Sequence, residues 1–267
     1  KYNMKDSNLD NIYNLKNKVV VVTGSCGQLG SSMCNLFVNI GCKVIGIDYS
    51  IESNKINNVD YYQLDIRKSK DVSTVFKSIF NKFNKIDVLI NNAGFWLFGS
   101  FAETDWERES AMLQVHIMTT THLTKLVLAG MVKRGSGKIL NMSSLAAFQP
   151  GPLMSIYYAS KGYMLSFSEA IANELKGTGV TVTALCPGPT KTAFQETVSE
   201  DAKENKIKFN MANAKAVALY GYKAMLKGKT YAIPGGFNKF LATLPRFMPR
   251  NTATSIVRKI QEKNRED

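Results

Sequence analysis

Short apolar runs alternate with longer segments of helical periodicity along almost the whole chain, and this alternation constrains the fold more than any other feature. Continuous apolar runs are typical of parallel strands covered on both faces, and intervening helices are typical of βαβ units. We therefore predict an α/β fold with a doubly wound, parallel, seven-stranded sheet. The predicted strands lie near residues 18–23, 42–47, 59–64, 86–91, 136–142, 179–185 and 229–233.

Domain limits and helices follow from the same pattern. No linker divides the chain, so we predict a polar leader over residues 1–15 and one domain over residues 16–267. From about residue 234 to 267, apolar residues recur at helical spacing, which indicates an amphipathic segment that covers the substrate site, contacts another subunit or touches a membrane. Packing within the protein or in a dimer is favoured. The predicted helices lie near residues 28–40, 69–83, 104–133, 157–176, 192–204, 212–227 and 252–263.

Composition is that of an ordinary globular protein, with 267 residues of which 45% are apolar and 21% are charged. A chain of this size buries a core without a metal or a disulfide, and we predict no metal site. The four cysteines form no CxxC pair, which indicates free thiols in a reducing compartment. Because the sequence shows neither a span-length apolar stretch nor a signal-peptide pattern, we predict a cytoplasmic protein.

The formal net charge of +13 favours either an anionic partner or a solvated basic surface. The lysines are scattered and are not interleaved with aromatic residues as in a nucleic-acid groove. We therefore predict no nucleic-acid partner and no membrane association, and we expect a solvated basic surface. The charge would also suit a coenzyme A ester or a carrier-protein ester.

A glycine-rich turn, TGSCGQLG, lies between the apolar run Val19–Val22 and the first helical segment. In a strand–turn–helix unit, glycine lets the backbone approach a pyrophosphate, and the start of the helix supplies N–H groups. The flanking strand and helix make the pattern a specific one. The predicted cofactor-binding residues of this turn are Thr23, Gly24, Gly27, Leu29 and Gly30.

Asp48 ends the second predicted strand, eighteen residues beyond Gly30. A carboxylate at this place accepts hydrogen bonds from ribose hydroxyls and repels a 2′-phosphate. Asp48 therefore favours NAD(H) over NADP(H).

Together with later motifs, these residues make the chain resemble the short-chain dehydrogenase/reductase family over about residues 16–235. The later motifs are NNAG at residues 91–94, Ser144, YYASK at residues 157–161 and Pro187-Gly188. The resemblance implies a single-domain Rossmann fold in which Asp65 and Ile66 meet the adenine and the Pro-Gly turn holds the nicotinamide carboxamide. The further cofactor-binding residues that it implies are Asn91, Ala93, Gly94, Tyr157, Lys161, Pro187, Gly188, Thr190 and Thr192.

Tyr157 and Lys161 lie four residues apart at the start of a predicted helix and therefore share one face. A neighbouring ammonium lowers the pKa of a phenol, so Tyr157 is predicted to act as general acid and base. Ser144 is predicted to polarise the substrate oxygen. Ser143 and Tyr158 are the competing residues, but the family spacing selects Ser144 and only Tyr157 has a lysine four positions later.

His116 occupies a position where the family usually has a catalytic asparagine, which makes a local helix irregularity and completes a proton relay. Histidine can also relay protons, because its ordinary pKa lies near 6.5. A buried histidine without a catalytic role is the equal alternative. We therefore include His116 among the candidate catalytic residues.

The glycine spacing, TGxxGxxG, is that of the larger, extended branch of the family, which contains sugar-nucleotide epimerases and reductases. The second half of the chain instead resembles single-domain ketone and β-ketoacyl reductases, which often use NADP(H). We therefore predict an NAD(P)-dependent oxidoreductase that interconverts a secondary alcohol and a ketone on an apolar or acyl substrate. The resemblance also implies a homodimer or homotetramer. An epimerase or dehydratase and a catalytically decayed dinucleotide-binding protein are the alternatives. The predicted substrate contacts are Phe95, Trp96, Phe148 and Met154.

Overall fold

The computed structural model describes residues 15–51, 55–191 and 211–263. In this part of the chain, a parallel seven-stranded sheet has the order β3-β2-β1-β4-β5-β6-β9, and a separate pair joins β7 to β8. The order reverses direction beside β1, which is the doubly wound arrangement predicted from the sequence. The strands are β1 (Val19–Thr23), β2 (Lys43–Asp48), β3 (Val59–Gln63), β4 (Val88–Asn91), β5 (Gly137–Met142), β6 (Val180–Leu185), β7 (Thr190–Lys191), β8 (Ala212–Asn213) and β9 (Tyr231–Ala232).

The helices cover both faces of the sheet, so the strands need no polar face. Phe37 of α1 and Tyr222 of α6 pack over Val20 and Val22 on one face. Phe76 of α2 lies in the core of the other face, which α2, α4 and α5 cover. The helices are α1 (Gln28–Asn39), α2 (Ser69–Phe83), α3 (Trp106–Leu113), α4 (Thr120–Lys133), α5 (Ser155–Glu174), α6 (Ala214–Leu226), α7 (Gly236–Thr243) and α8 (Arg250–Lys263).

The helix predicted over residues 104–133 is not continuous. Helix α3 begins after Asp105, whose side chain accepts the Arg108 N–H at 3.1 Å. A π-helical turn over Gln114–Thr119 then separates α3 from α4. No glycine or proline marks this break, but it lies at His116, where the family resemblance implies a local helix irregularity. π-helical turns are frequently found at functional sites.

Other differences from the predicted elements are local. The two-residue strands β7 and β8 were not predicted, because a pair this short carries no periodic pattern. Most of the predicted leader, the predicted helix over residues 192–204 and the cofactor candidate Thr192 lie outside the described residues.

The C-terminal segment is helical, as predicted, and packs against the domain through small and apolar residues. Ala242 of α7 and Ala253 and Val257 of α8 are buried. Gln261 Nε2 donates to the Tyr158 hydroxyl at 2.9 Å, which ties α8 to α5. Within the described ranges, none of the helices is both long enough and apolar enough to cross a lipid bilayer.

Candidate active site

The glycine turn connects β1 to α1 at the carboxyl edge of the sheet. A Cβ on Gly30 would overlap the carbonyl oxygen of Gly24, so glycine lets the helix start directly against the turn. Among the described residues, α1 begins without a side-chain cap and has no acid in its first turn. Its first N–H groups therefore suit a bound pyrophosphate, and the turn fits a dinucleotide.

Asp48 lies beside this turn, at the end of β2. One carboxylate oxygen, Oδ2, accepts the Cys26 N–H at 2.8 Å, so Asp48 holds the middle of the turn in place. A carboxylate has about four acceptor positions, so this bond leaves capacity for ribose hydroxyls. The prediction from sequence named Asp48 for the ribose and did not foresee its bond to the turn.

Asp65 is paired with Arg67 at the end of the neighbouring strand β3. Arg67 Nε and a terminal nitrogen donate to the two carboxylate oxygens at 2.8 Å each, which makes a bidentate ion pair. Arg67 lowers the pKa of Asp65 through the side-chain hydrogen bonds. The guanidinium carbon also lies 5.9 Å from the ring centroid of Tyr49, the residue after Asp48. The sequence analysis missed Arg67.

The loop after β4 is hydrogen-bonded to the glycine turn. Thr23 Oγ1 accepts the N–H groups of Asn92 and Ala93, both at 3.1 Å. Asn92 Nδ2 in turn donates to the carbonyl oxygens of Thr23 and Gly24. Asn91 instead turns into the interior, where its Nδ2 donates to Asn141 Oδ1 at 2.8 Å. Asn91 therefore braces the sheet from within, and Asn92, which was not predicted, joins the two loops.

Ser144, Tyr157 and Lys161 lie together beyond the end of β5. Tyr157 and Lys161 project from the first turns of α5, and the Lys161 Nζ lies 5.6 Å from the Tyr157 ring centroid. The Ser144 hydroxyl is close enough to the Tyr157 phenol to act on its pKa, in the lowering direction. Ser144 Oγ also accepts the Ala146 N–H at 3.1 Å, which orients the hydroxyl. The sequence prediction that these three side chains meet is supported by this geometry.

Burial sets the pKa values of the two ionisable groups. It raises the pKa of Tyr157 to about 12, although the Ser144 hydroxyl acts in the lowering direction. Burial lowers the pKa of Lys161 to about 7. Lys161 Nζ donates to the Met142 carbonyl at 2.8 Å, so one of its N–H groups is used by the backbone and is not available to Tyr157. The predicted lowering of the Tyr157 pKa is therefore wrong for the ligand-free protein, in which the phenol is protonated at neutral pH.

The competing serine and tyrosine have other partners. Ser143 is buried, and its hydroxyl donates to the Lys161 carbonyl at 2.9 Å. The Tyr158 hydroxyl accepts from Gln261, and its ring fills the space beside Gly151. These contacts support the choice of Ser144 and Tyr157.

His116 lies in the π-helical turn and is completely buried. Its Nε2 accepts the Phe95 N–H at 3.1 Å, and its Nδ1 lies 2.8 Å from Ser160 Oγ. Because the single Ser160 hydroxyl proton is donated to the Tyr157 carbonyl, Ser160 must accept from Nδ1–H. The hydrogen bonds thus assign a neutral imidazole with its proton on Nδ1, and burial lowers its pKa well below the ordinary value.

Gly94 is the counterpart of this histidine. A Cβ at residue 94 would lie 2.6 Å from His116 Nε2, so the imidazole occupies space that any side chain at residue 94 would need. His116 therefore connects the loop after β4 to the helix that carries Tyr157 and Lys161. Sequence reasoning located His116 but could not identify Ser160, which lies inside the YYASK motif, as its partner.

The Pro-Gly turn follows β6 and adjoins Ser144, the candidate catalytic serine. The Pro187 carbonyl accepts the Leu145 N–H at 2.9 Å, next to Ser144. Thr190 Oγ1 donates to the Gly188 carbonyl at 3.0 Å, and the Asn238 side chain of α7 packs against Gly188. This turn is positioned at the same edge as the glycine turn, in agreement with its predicted role.

The four predicted substrate contacts are half-buried on loops at this edge: Phe95, Trp96, Phe148 and Met154. Phe148 also lines a groove of about 830 Å³ between the start of α5 and the C-terminal segment. Tyr158 forms part of its floor, and Pro245, Arg246 and Arg250 form part of the opposite wall. In the described part of the chain, no cluster of three or more His, Cys, Asp or Glu side chains could hold a metal.

Comparisons with known proteins agree with this geometry. The family model described as short chain dehydrogenase matches residues 18–203. An uncharacterized oxidoreductase of Staphylococcus saprophyticus is 32% identical over 215 residues, covering 77% of this chain and 92% of the relative. The 3-oxoacyl-[acyl-carrier-protein] reductase of Thermotoga maritima is 30% identical over 205 residues, covering 72% of this chain and 82% of that enzyme.

A solved structure shows the same fold. The 3-ketoacyl-(acyl-carrier-protein) reductase of Brucella melitensis, complexed with NADH, has a TM-score of 0.72 and 24% identity, with 82% of this chain and 96% of that chain covered. One conclusion follows from the sheet, the two loops that suit a dinucleotide, the extent of the family match and the sequence identity to family members. The chain belongs to the short-chain dehydrogenase/reductase family and is an oxidoreductase with a Rossmann fold.

Proposed function

We propose that this protein interconverts a secondary alcohol and a ketone with an NAD(P) cofactor, and that it acts chiefly as a ketone reductase. The proposal rests on one observation: Ser144, Tyr157 and Lys161 lie together beyond β5, next to the loops that suit a dinucleotide. The protonated phenol of Tyr157 is the form that donates a proton to a carbonyl oxygen.

Each of the three side chains has a distinct role in this proposal. Ser144 donates a hydrogen bond to the substrate oxygen and orients the carbonyl, while the Ala146 N–H holds the serine in place. Tyr157 gives its proton to the oxygen as charge develops there. Lys161 stabilises the resulting phenolate and, with N–H groups beyond the one given to Met142, binds ribose hydroxyls. When bound, the nicotinamide supplies or accepts the hydride.

His116 has a positioning role in this proposal. Both ring nitrogens are occupied, one by the Phe95 N–H and one by Ser160, and neither is directed to the Tyr157 hydroxyl by these bonds. The neutral imidazole holds α5 against the loop that borders the cofactor site. We therefore favour a brace over the proton relay that the family position suggests.

NAD(H) is the proposed cofactor, with NADP(H) as the alternative. The Asp48 carboxylate lies where a 2′-phosphate would be repelled. Arg67, in the turn after β3, is bound bidentately by Asp65, so part of its hydrogen-bonding capacity is already used. The Brucella reductase of the same fold is complexed with NADH.

A 3-oxoacyl thioester or another apolar ketone is the proposed substrate class. Half-buried aromatic side chains surround the catalytic edge, and the Thermotoga relative reduces a 3-oxoacyl-[acyl-carrier-protein] by its name. The epimerase alternative rests on the glycine spacing alone, and the decayed binding protein rests on the histidine at residue 116 alone. The described residues form a single sheet-centred domain, and the three catalytic side chains are intact.

A homodimer or homotetramer in the cytoplasm completes the proposal. The helical segments predicted near residues 104–133 and 157–176 are the proposed interface, and Trp106, Met118 and Tyr163 are exposed apolar residues on them. The four cysteines are all free and buried, which supports a reducing compartment.

The experiment is a titration of the purified protein with NADH and NADPH, followed by turnover of acetoacetyl-coenzyme A and a panel of ketones. We expect tighter binding of NADH and stoichiometric formation of alcohol. Cofactor binding without turnover on any ketone or alcohol would indicate the decayed protein. NAD retained through purification, with no net oxidation of NADH, would indicate the epimerase.

A further inference from the structure

The C-terminal segment exposes an unusual number of aromatic side chains. Phe237, Phe240 and Phe247 are 72%, 59% and 81% exposed, although they lie within eleven residues of one another. Ile256 and Ile260 of α8 are also exposed. The segment packs on the domain through Ala242, Ala253 and Val257, so the exposed phenylalanines do not contribute to this packing. Clustered exposed apolar residues mark interaction surfaces.

The charge of this region is mostly positive. Residues 211–261 contain nine lysines and arginines and not one aspartate or glutamate. Lys239, Arg246 and Arg250, all exposed, alternate with the phenylalanines along the segment. An amphipathic segment with phenylalanine on its apolar side and lysine or arginine around it is the pattern of helices that lie in the interface of an anionic membrane.

A second copy of the chain is a poorer fit to this surface. A two-fold contact places the same patch of both subunits together, so these cations would face one another. The first carboxylate of the segment, Glu262, is ion-paired with Arg258 in the same helix. Self-association also has its own candidate surface on α3, α4 and α5, which carry other exposed apolar residues.

We propose that α7, the following turn over Leu244–Phe247 and the start of α8 form a docking surface for an anionic phospholipid bilayer. The phenylalanines enter the boundary between headgroups and acyl chains, and the lysine and arginines bind lipid phosphates. The segment still packs on the domain through its buried residues, and the proposal departs from our expectation from sequence that a membrane is not a partner. Arg246 and Arg250 line the 830 Å³ groove as well, so that groove adjoins the bound surface.

The test is co-sedimentation of the full chain with vesicles of phosphatidylcholine, with or without phosphatidylglycerol. We expect binding to the anionic vesicles alone, and weaker binding at about 1 M salt, where charges are screened within about 3 Å. Arg246→Gln with Arg250→Gln should weaken binding by roughly fivefold per cation removed. Phe237→Ser, Phe240→Ser and Phe247→Ser combined should abolish it.

Matched controls distinguish binding through this surface from nonspecific adsorption to the vesicles. Lys70→Gln with Lys77→Gln removes two exposed cations of α2, and Phe101→Ser removes a phenylalanine that is 63% exposed elsewhere. Both controls should bind as the wild type does, and unfolding temperatures verify that every variant folds. The proposal is overturned if the wild type does not bind anionic vesicles or if the triple variant still binds. It is also overturned if the triple variant changes only the oligomer size in solution, which would make this face a subunit contact.

Discussion

The Nδ1 of His116 lies 2.8 Å from the Oγ of Ser160, and this contact links the π-helical turn to the helix of the catalytic residues. We expect His116→Ala to lower the free energy of unfolding by about 2–4 kcal/mol, because the Phe95 N–H and Ser160 lose a buried partner. His116→Asn keeps a donor and an acceptor and should lose less. Urea unfolding of both variants measures the difference.

The pH profile of kcat distinguishes a brace from a relay. If His116 is a brace, a neutral histidine held by two hydrogen bonds, then His116→Asn should show the same pH profile of kcat as the wild type. Its kcat should be equal or lower. A higher kcat together with a shifted profile would assign a proton relay instead.

Gly94→Ala should mimic the loss of the brace, because its methyl would lie 2.6 Å from His116 Nε2. Gly236→Ala, with open space around residue 236, is the matched control.

Cofactor choice should depend on both strand ends. Asp48→Asn keeps an acceptor for the Cys26 N–H but removes the charge, so we expect the NADP-to-NAD ratio of kcat/KM to rise at least tenfold. Adding Asp65→Asn releases Arg67 and should raise the ratio further. Adding Arg67→Gln to that double variant should cancel the second gain. An unchanged ratio in Asp48→Asn would show that Asp48 is not the discriminating residue.

Stability of the ligand-free protein should rise with pH above neutrality because of Lys161. Its pKa is about 7 when folded, while the unfolded lysine keeps its proton to about pH 10.5. Between those values the unfolded chain binds more protons, so folding is favoured as pH rises, by about 1 kcal/mol between pH 7 and pH 8. Lys161→Met should remove this increment, and Lys77→Met, at an exposed position, should retain it. Equal slopes in the wild type and Lys161→Met would contradict a buried lysine of low pKa.

Sequence patterns predicted the sheet well because burial on both faces requires the continuous apolar runs seen at Val19–Val22 and Val180–Leu185. Hydrophobic periodicity gave no sign of the break in the helix at His116, which only the family resemblance implied. The partners of the imidazole, Phe95 and Ser160, are distant in sequence, so local patterns could not identify them. The direction of the Tyr157 pKa shift could also not be predicted from the sequence. Spacing places Lys161 beside the phenol, but the depth of burial depends on how the whole edge packs.

The candidate site shows the same division between local and long-range information. The glycine turn, Asp48 and the Tyr157–Lys161 pair are local motifs, and the structure brings them to one edge of the sheet. Arg67 pairs with Asp65 two residues before it, and Asn92 lies within the NNAG motif, but neither spacing nor periodicity indicates these bonds. The exposure of Phe247 likewise depends on which face of the C-terminal segment packs on the domain.

Turnover by Tyr157→Phe tests the central claim most directly. The substitution removes the hydroxyl that donates the proton and leaves the ring between His116 and Lys161. We expect kcat for the best ketone of the panel to fall by about 10²–10⁴-fold, with NADH affinity within a few-fold of the wild type. A variant that binds NADH and reduces the ketone at the wild-type rate would contradict the account.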